Sequence, residues 1–290
     1  MSKWLAAAVL AAWACIAQAM SPYVEAPKVA AGDVKAAMAD VEKKLAAANF
    51  TVVGRYQPKG LPQYGVVVAT DAALSDAAAA IGGAAIVAAP IRVGVRADGT
   101  VFYSNVEYWS RAYLGGNYGK AEGAVKGAAV RLAGAFGAGK PAGGDVKVED
   151  LPGYRYMLGM ERFGDRSELN EFATFEQAVQ TIRDNLAKGV GDTAQVYAIV
   201  LPEKKLAVFG VALGNADHGE GWWVNKIGPD NVAALPWEIY VVDKRASALY
   251  GRYRTALGWP DLGMGTFMTI MRHPDTTAQA LETVAGARKP

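Results

Sequence analysis

One cysteine, Cys15, and two histidines, His218 and His273, stand among 290 residues. That scarcity closes several chemistries at once. A disulfide framework needs paired cysteines, and a structural zinc site needs Cys or His at ligand spacing. Asp217-His218-Gly219-Glu220 offers one imidazole with no second histidine at that spacing, and reads as a solvated loop. Charge of one sign is missing too, with 30 Lys and Arg against 28 Asp and Glu. A nucleic acid or an acidic membrane surface is therefore not expected as a partner. Gly-x-Ser-x-Gly is absent, so no serine nucleophile elbow can be assigned. The carboxylates show no pairing that would single out a general acid and base. Beyond the N-terminus no apolar run reaches the ~20 residues of a membrane span, so no stable membrane insertion is expected.

What is present is core material. Hydrophobic residues make up 52% and charged residues 20% of a chain long enough for about two domains. At the N-terminus, Lys3 precedes the apolar run from Trp4 to Trp13, which is too short to span a bilayer. Ala17-Gln18-Ala19 then gives the small-x-small pattern of a signal peptidase site. Residues 1–19 read as a signal peptide cleaved after Ala19, which also removes Cys15. A lipid anchor on that cysteine fits less well, because Ala12-Trp13 before it makes a poor lipobox. The expected compartment is the periplasm of a Gram-negative bacterium.

The rest of the chain reads as two similar stretches. Val34, Ala37, Met38, Val41 and Leu45 repeat with helical spacing, and so do Phe175, Ala178, Val179, Ile182 and Leu186. Thr174 with Gln177 makes a capping box for the second helix. Each helix leads into a β-hairpin pattern, Phe50–Tyr56 with Tyr64–Ala69, and Gln195–Leu201 with Leu206–Ala212. Ile81-Gly82 precedes Pro90 at the spacing at which Ile227-Gly228 precedes Pro236, and a strand pattern follows each proline. Three matches in one order argue for internal duplication. The opening strands are expected near Tyr23-Val24-Glu25 and Tyr154–Leu158. The predicted layout is a first module over 20–137, a Gly- and Pro-rich linker over 138–153, and a second, diverged module over 154–290. The fold class is α+β, two tandem repeats of a mainly antiparallel sheet with helices on one face.

Ala69-Thr70-Asp71-Ala72-Ala73, the small helix after it, and Ala89-Pro90-Ile91-Arg92-Val93-Gly94-Val95 with Asp98-Gly99 resemble the DUF302 family, with its TT1751-like fold. The likeness covers about 21–137 and, more faintly, 154–286, where Leu235-Pro236-Trp237-Glu238 keeps the proline and the strand. Asp71-Ala72 replaces the family's Asn-Pro-like helix start, and Ile91 replaces the cysteine of its strand entry. The resemblance implies a module that often pairs with a second copy, here within one chain as a monomeric pseudo-dimer. It implies no reaction, and the missing cysteine removes any thiol chemistry.

Several local patterns invite a site. Gly134-Ala135-Phe136-Gly137-Ala138-Gly139-Lys140 has P-loop spacing but lacks the following Ser or Thr, and reads as a helix end plus linker. Met264, Met268 and Met271 share one face if helical, and with His273 would suit a soft metal such as copper, although such stripes usually fill cores. Otherwise no cofactor is expected. Trp222, Trp223 and Trp237, with His218 nearby, could border a ligand pocket, or simply pack a core whose other side chains are small. The reading is a non-catalytic exported protein that binds a small molecule or an envelope protein. The alternatives are a periplasmic enzyme with a site between the modules and a copper-binding protein.

Overall fold

The computed structural model describes residues 18–29 and 32–287. Almost all of the leader segment falls outside them. Ala19, after which cleavage is expected, begins the two-residue strand β1 (Ala19–Met20).

The first half then runs β2 (Tyr23–Ala26), α1 (Val34–Ala47), β3 (Thr51–Tyr56), β4 (Tyr64–Thr70), α2 (Ala72–Ile81), β5 (Pro90–Arg96), β6 (Val101–Ser104), α3 (Val106–Leu114) and α4 (Tyr118–Phe136). Two short strands, β7 (Lys140–Ala142) and β8 (Val146–Lys147), follow. The second half runs β9 (Arg166–Glu171), α5 (Phe175–Ala187), β10 (Thr193–Leu201), β11 (Leu206–Leu213), α6 (Glu220–Ile227), β12 (Trp237–Val242), β13 (Arg245–Leu249), α7 (Gly251–Gly258), α8 (Met264–Met268) and α9 (His273–Val284). Short 3₁₀ segments, Gly83–Ala88 and Pro229–Ala234, stand before β5 and β12.

The helix patterns act as their spacing predicts. Val34, Ala37, Met38, Val41 and Leu45 are the buried face of α1, and the Asp33 side chain caps it by accepting from Ala36 N at 2.7 Å. The five spaced residues of α5 are buried likewise, and Thr174 Oγ1 accepts from Gln177 N at 3.1 Å. Each cap contributes about 1 kcal/mol by satisfying an N–H that the first turn leaves without a partner.

The strands form two large antiparallel sheets, ordered β3-β4-β5-β6-β2-β7 and β10-β11-β12-β13-β9, beside a two-stranded pair of β1 with β8. Apart from β7, one strand order serves both. The α+β class follows directly from these sheets and their helices. Alternation gives each sheet two faces. Gly65, Val67 and Ala69, paired with Val95, Val93 and Ile91, face α1. Val66 and Val68, paired with Gly94 and Arg92, face the other half of the chain. In the second sheet Glu238 and Tyr240, paired with Gly210 and Val208, occupy the corresponding inner positions. Each 3₁₀ segment lies on the opposite sheet, Gly83–Ala88 on β11 and β12, and Pro229–Ala234 on β4, β5 and β6. The edge strands β3 and β10 abut so closely that a Cβ on Gly54 would come within 2.2 Å of the Val196 carbonyl oxygen.

Two expectations need correction. The second half opens with β9, not with Tyr154–Leu158. The Tyr154 hydroxyl donates to Ala256 O at 3.1 Å and its ring packs on Tyr253, which ties this aromatic stretch to α7 instead of a sheet. The segment 138–153 is also no free linker, since β7 pairs with β2 and β8 with β1. The P-loop-like stretch is the end of α4, closed at Gly137, whose φ of 92° suits glycine. Among the described residues no helix is long and apolar enough to cross a membrane.

Candidate functional site

Proline fixes the start of β5 and of β12, and two residues later each strand turns a charged side chain inward: Arg92 in one, Glu238 in the other. The two form an ion pair between the halves, each at most 3% exposed. Arg254, from α7, adds Nε to Glu238 Oε2 and Nη2 to Oε1, both at 3.2 Å, and also donates to Ala234 O. Its guanidinium lies over Trp109 at 4.9 Å and Trp237 at 5.5 Å. Taking each ion from water costs several kcal/mol, which only close pairing offsets. Here two buried cations meet one carboxylate, and Arg92 Nε has no hydrogen-bond partner among the described residues. The interior between the halves therefore carries a positive surplus.

Beside this cluster lies a cleft of about 320 Å³, a size that suits a small ligand. Gly82 and Ala85 line it from the first half, Tyr113 from the end of α3, and Tyr154, Arg162 and Phe163 from the segment before β9. The Tyr113 and Phe163 rings are 5.5 Å apart and form an aromatic wall. The Tyr113 hydroxyl is buried without a partner among the described residues. An orphaned buried hydroxyl costs about 1–3 kcal/mol, so a polar atom arriving there is favoured. Behind Tyr113 a void of about 10 Å³, bordered by Arg92, Trp109 and Ser110, separates it from the ionic cluster. Tyr113 thus stands between the cleft and the positive interior.

A second buried acid bridges the halves elsewhere. Tyr56 of β3 donates to Glu220 Oε1 at 3.1 Å. Burial pushes the Glu220 carboxyl up to about 8, partly offset by the Tyr56 hydrogen bond. The backbones meet next to it. A Cβ on Gly221 would lie 2.4 Å from Lys59 O, so glycine is what permits the contact.

The residues singled out in the sequence fall into separate places. Trp223, Trp237, Trp259 and His273 form one closed aromatic core. Trp223 stacks on His273 at 3.9 Å and meets Trp259 at 5.1 Å and Trp237 at 6.2 Å. Trp222 is half-buried outside that core, with Lys226 Nζ 3.6 Å and Arg272 5.8 Å from its ring centre. His218 is half-buried in the loop before α6, its backbone N–H donating to Asn215 Oδ1. The four proposed pocket residues do not share a cavity, because packing draws Trp223 and Trp237 inward.

The methionines and His273 do not converge either. Met264, Met268 and Met271 are about half exposed, whereas His273 is fully buried. Thr255 Oγ1 lies 3.2 Å from His273 Nε2 and Thr277 Oγ1 3.0 Å from Nδ1, so both ring nitrogens are occupied. Burial holds the imidazole neutral, its pKa lowered to about 3. Among the described residues no group of three or more His, Cys, Asp or Glu is placed to hold a metal.

Sequence reasoning missed Arg92, Glu238, Arg254 and Tyr113. The signal was available for two of them. A lone charge inside an apolar strand, Ile91-Arg92-Val93 or Trp237-Glu238-Ile239, must find a partner when both faces are covered. Compared with family models, with curated proteins and with solved structures, the chain gives no match.

Proposed function

We propose that this chain is an exported, non-catalytic binding protein of the periplasm. Its ligand is a small molecule with a carboxylate and an apolar or aromatic body, held in the cleft beside Tyr113. The observation that carries the reading is Tyr113, whose side chain lines the cleft and whose hydroxyl is buried without a partner among the described residues, with the surplus cation of the Arg92–Glu238–Arg254 cluster behind it. Phe163 and Tyr154 would cover the apolar body, and Arg162 at the mouth would meet the acid group as it enters. Export rests on the N-terminal Lys3-to-Ala19 pattern. The reading of two diverged DUF302-like copies is supported by the common strand order and by the reciprocal seating of the 3₁₀ segments.

The test uses residues 20–290 and their Tyr113→Phe variant with benzoate, hexanoate and the neutral benzyl alcohol, followed by thermal shift and calorimetry. One of the acids should raise Tm, benzyl alcohol should not, and Tyr113→Phe should weaken the effect by about tenfold, the worth of a hydrogen bond to a charged group. No shift with either acid, or an unaltered shift in the variant, refutes the reading.

A second reading, docking to an envelope protein, is favoured by one surface. Met157, Leu158, Met264, Met268 and Met271 are the exposed large apolar side chains of the second half, and Met264 borders an apolar groove of about 150 Å³ with Tyr156, Met160 and Phe267.

A further inference from the structure

The two 3₁₀ segments meet their sheets in different ways. On the first sheet, Gly94 lets Pro229–Ala234 sit flat, because a Cβ there would come within 2.5 Å of Val232 Cγ1 and 3.0 Å of Ala233 N. That corner is closed by charge. Arg96 Nη1 and the Tyr64 hydroxyl both donate to Asp230 Oδ1 at 2.9 Å.

At the corresponding corner of the second sheet every one of these features is changed. Tyr240 stands where β5 has Gly94, Val242 where it has Arg96, and Ser247 where β6 has Phe102. The 3₁₀ segment offers Ala84 where its counterpart offers Asp230. The acid and its arginine are gone, and a tyrosine stands in the place of the glycine. A pocket of about 260 Å³ remains between Gly83-Ala84 and the β12–β13 hairpin.

Its lining is polar and mostly cationic. Tyr240 is 2% exposed, and its hydroxyl lies beside that of Ser247, opposite it across the strand pair. Arg166, Lys244 and Arg245 line the same pocket against one carboxylate, Asp243. Lys244 and Arg245 share Glu171 at 2.7 and 3.5 Å, whereas the ion pair of Arg166 with Glu168 is long, 3.7 Å. Arg166 is therefore the cation most free to turn to a guest.

We propose that this pocket binds a small oxyanion, a carboxylate or phosphate group, between the Tyr240 hydroxyl, the Ser247 hydroxyl and the Arg166 guanidinium. The guest takes the place that the Asp230 carboxylate holds at the other corner. This site is separate from the cleft at Tyr113, from which it is divided by the Gly82–Ala85 turn.

The test is calorimetric titration of residues 20–290 with inorganic phosphate and, separately, succinate, at about 10 mM, where a ~1 mM site is mostly filled. At least one anion should bind, and the better one names the source. Tyr240→Phe and Arg166→Gln should each weaken it about tenfold or more, as charge-assisted bonds do. Tyr113→Phe should leave it unchanged. Ala84→Asp, which installs the carboxylate seen at the other corner, should abolish anion binding and raise Tm by pairing with Arg166. Absence of binding for both anions overturns the proposal. So does binding that survives both Tyr240→Phe and Arg166→Gln, or that is lost with Tyr113→Phe alone.

Discussion

Replacing Glu238 by Gln changes one atom and should cost more than most single substitutions in the chain. The carboxylate holds Arg92 from one half and Arg254 from the other, and all three are nearly inaccessible to water. Breaking a buried pair by neutralising one member costs about 3–5 kcal/mol, because the other charge stays behind unpaired. Two guanidiniums are stranded here, and the amide can accept from only one of them while its NH₂ opposes the other. The middle of that range, about 4 kcal/mol, is expected. At 2–4 °C per kcal/mol for a chain of this size, Tm should fall by about 8–16 °C. Urea unfolding and calorimetry measure it. Salt should change the difference little, since buried pairs are weakly screened. Adding Arg254→Met to Glu238→Gln removes one stranded cation, so the double variant should be less destabilised than the sum by ~1 kcal/mol or more. A Glu238→Gln variant within ~1 kcal/mol of the parent, additive with Arg254→Met, would show that the cluster is not the charged core described.

Three further expectations rest on single residues. Glu220 has its carboxyl raised to about 8 in the fold against 4.5 unfolded, so its contribution to stability is complete below pH 4.5 and is lost as pH rises toward 8; Glu220→Gln should remove that fall, an effect of up to about 5 kcal/mol read from urea midpoints across the range. His273 is lowered to about 3 against 6.5, so its contribution is complete above pH 6.5 and is lost as pH drops toward 3; an acid titration of His273→Gln should show a flatter slope there, and a parent-like slope would exclude His273 as the cause. Gly54→Ala places a Cβ within 2.2 Å of Val196 O, so β3 and β10 must part at a cost of about 1–3 kcal/mol, visible as a lower urea midpoint.

The elements were legible where local pattern decides them. The spacing of Val34 to Leu45 and of Phe175 to Leu186 gave helices with the predicted buried faces, and both hairpins after them formed. Tyr154–Leu158 misled because an aromatic-rich run fits a strand and a loop packed on a helix equally well, and only the contact with Tyr253 decides between them. The site was least legible. Arg92 and Glu238 lie 146 positions apart, and no local rule joins them. The tryptophans drew notice because they are rare and large, yet size is what places Trp223 and Trp237 in the core. His273 followed them inward, leaving the methionines outside.

The pairing of Arg92 with Glu238 also bears on why the cleft and the buried charges gather between the halves. In an isologous dimer of identical chains, a residue near the axis meets its own copy. Arg92 would face Arg92, or Glu238 would face Glu238, and like charges in a dry interface repel strongly. One chain carrying both halves escapes that constraint, since the two corresponding positions can hold opposite charges. The same freedom operates at the corners, where Asp230 and Arg96 seal one side while Ala84, Val242 and Tyr240 leave the other open. Changes inside either half would disturb a core whose helices and strands already pack to completion. Changes at corresponding interface positions alter only how one half meets the other. Differences there can create a cleft, a buried hydroxyl or a surplus charge while both sheets keep their common order.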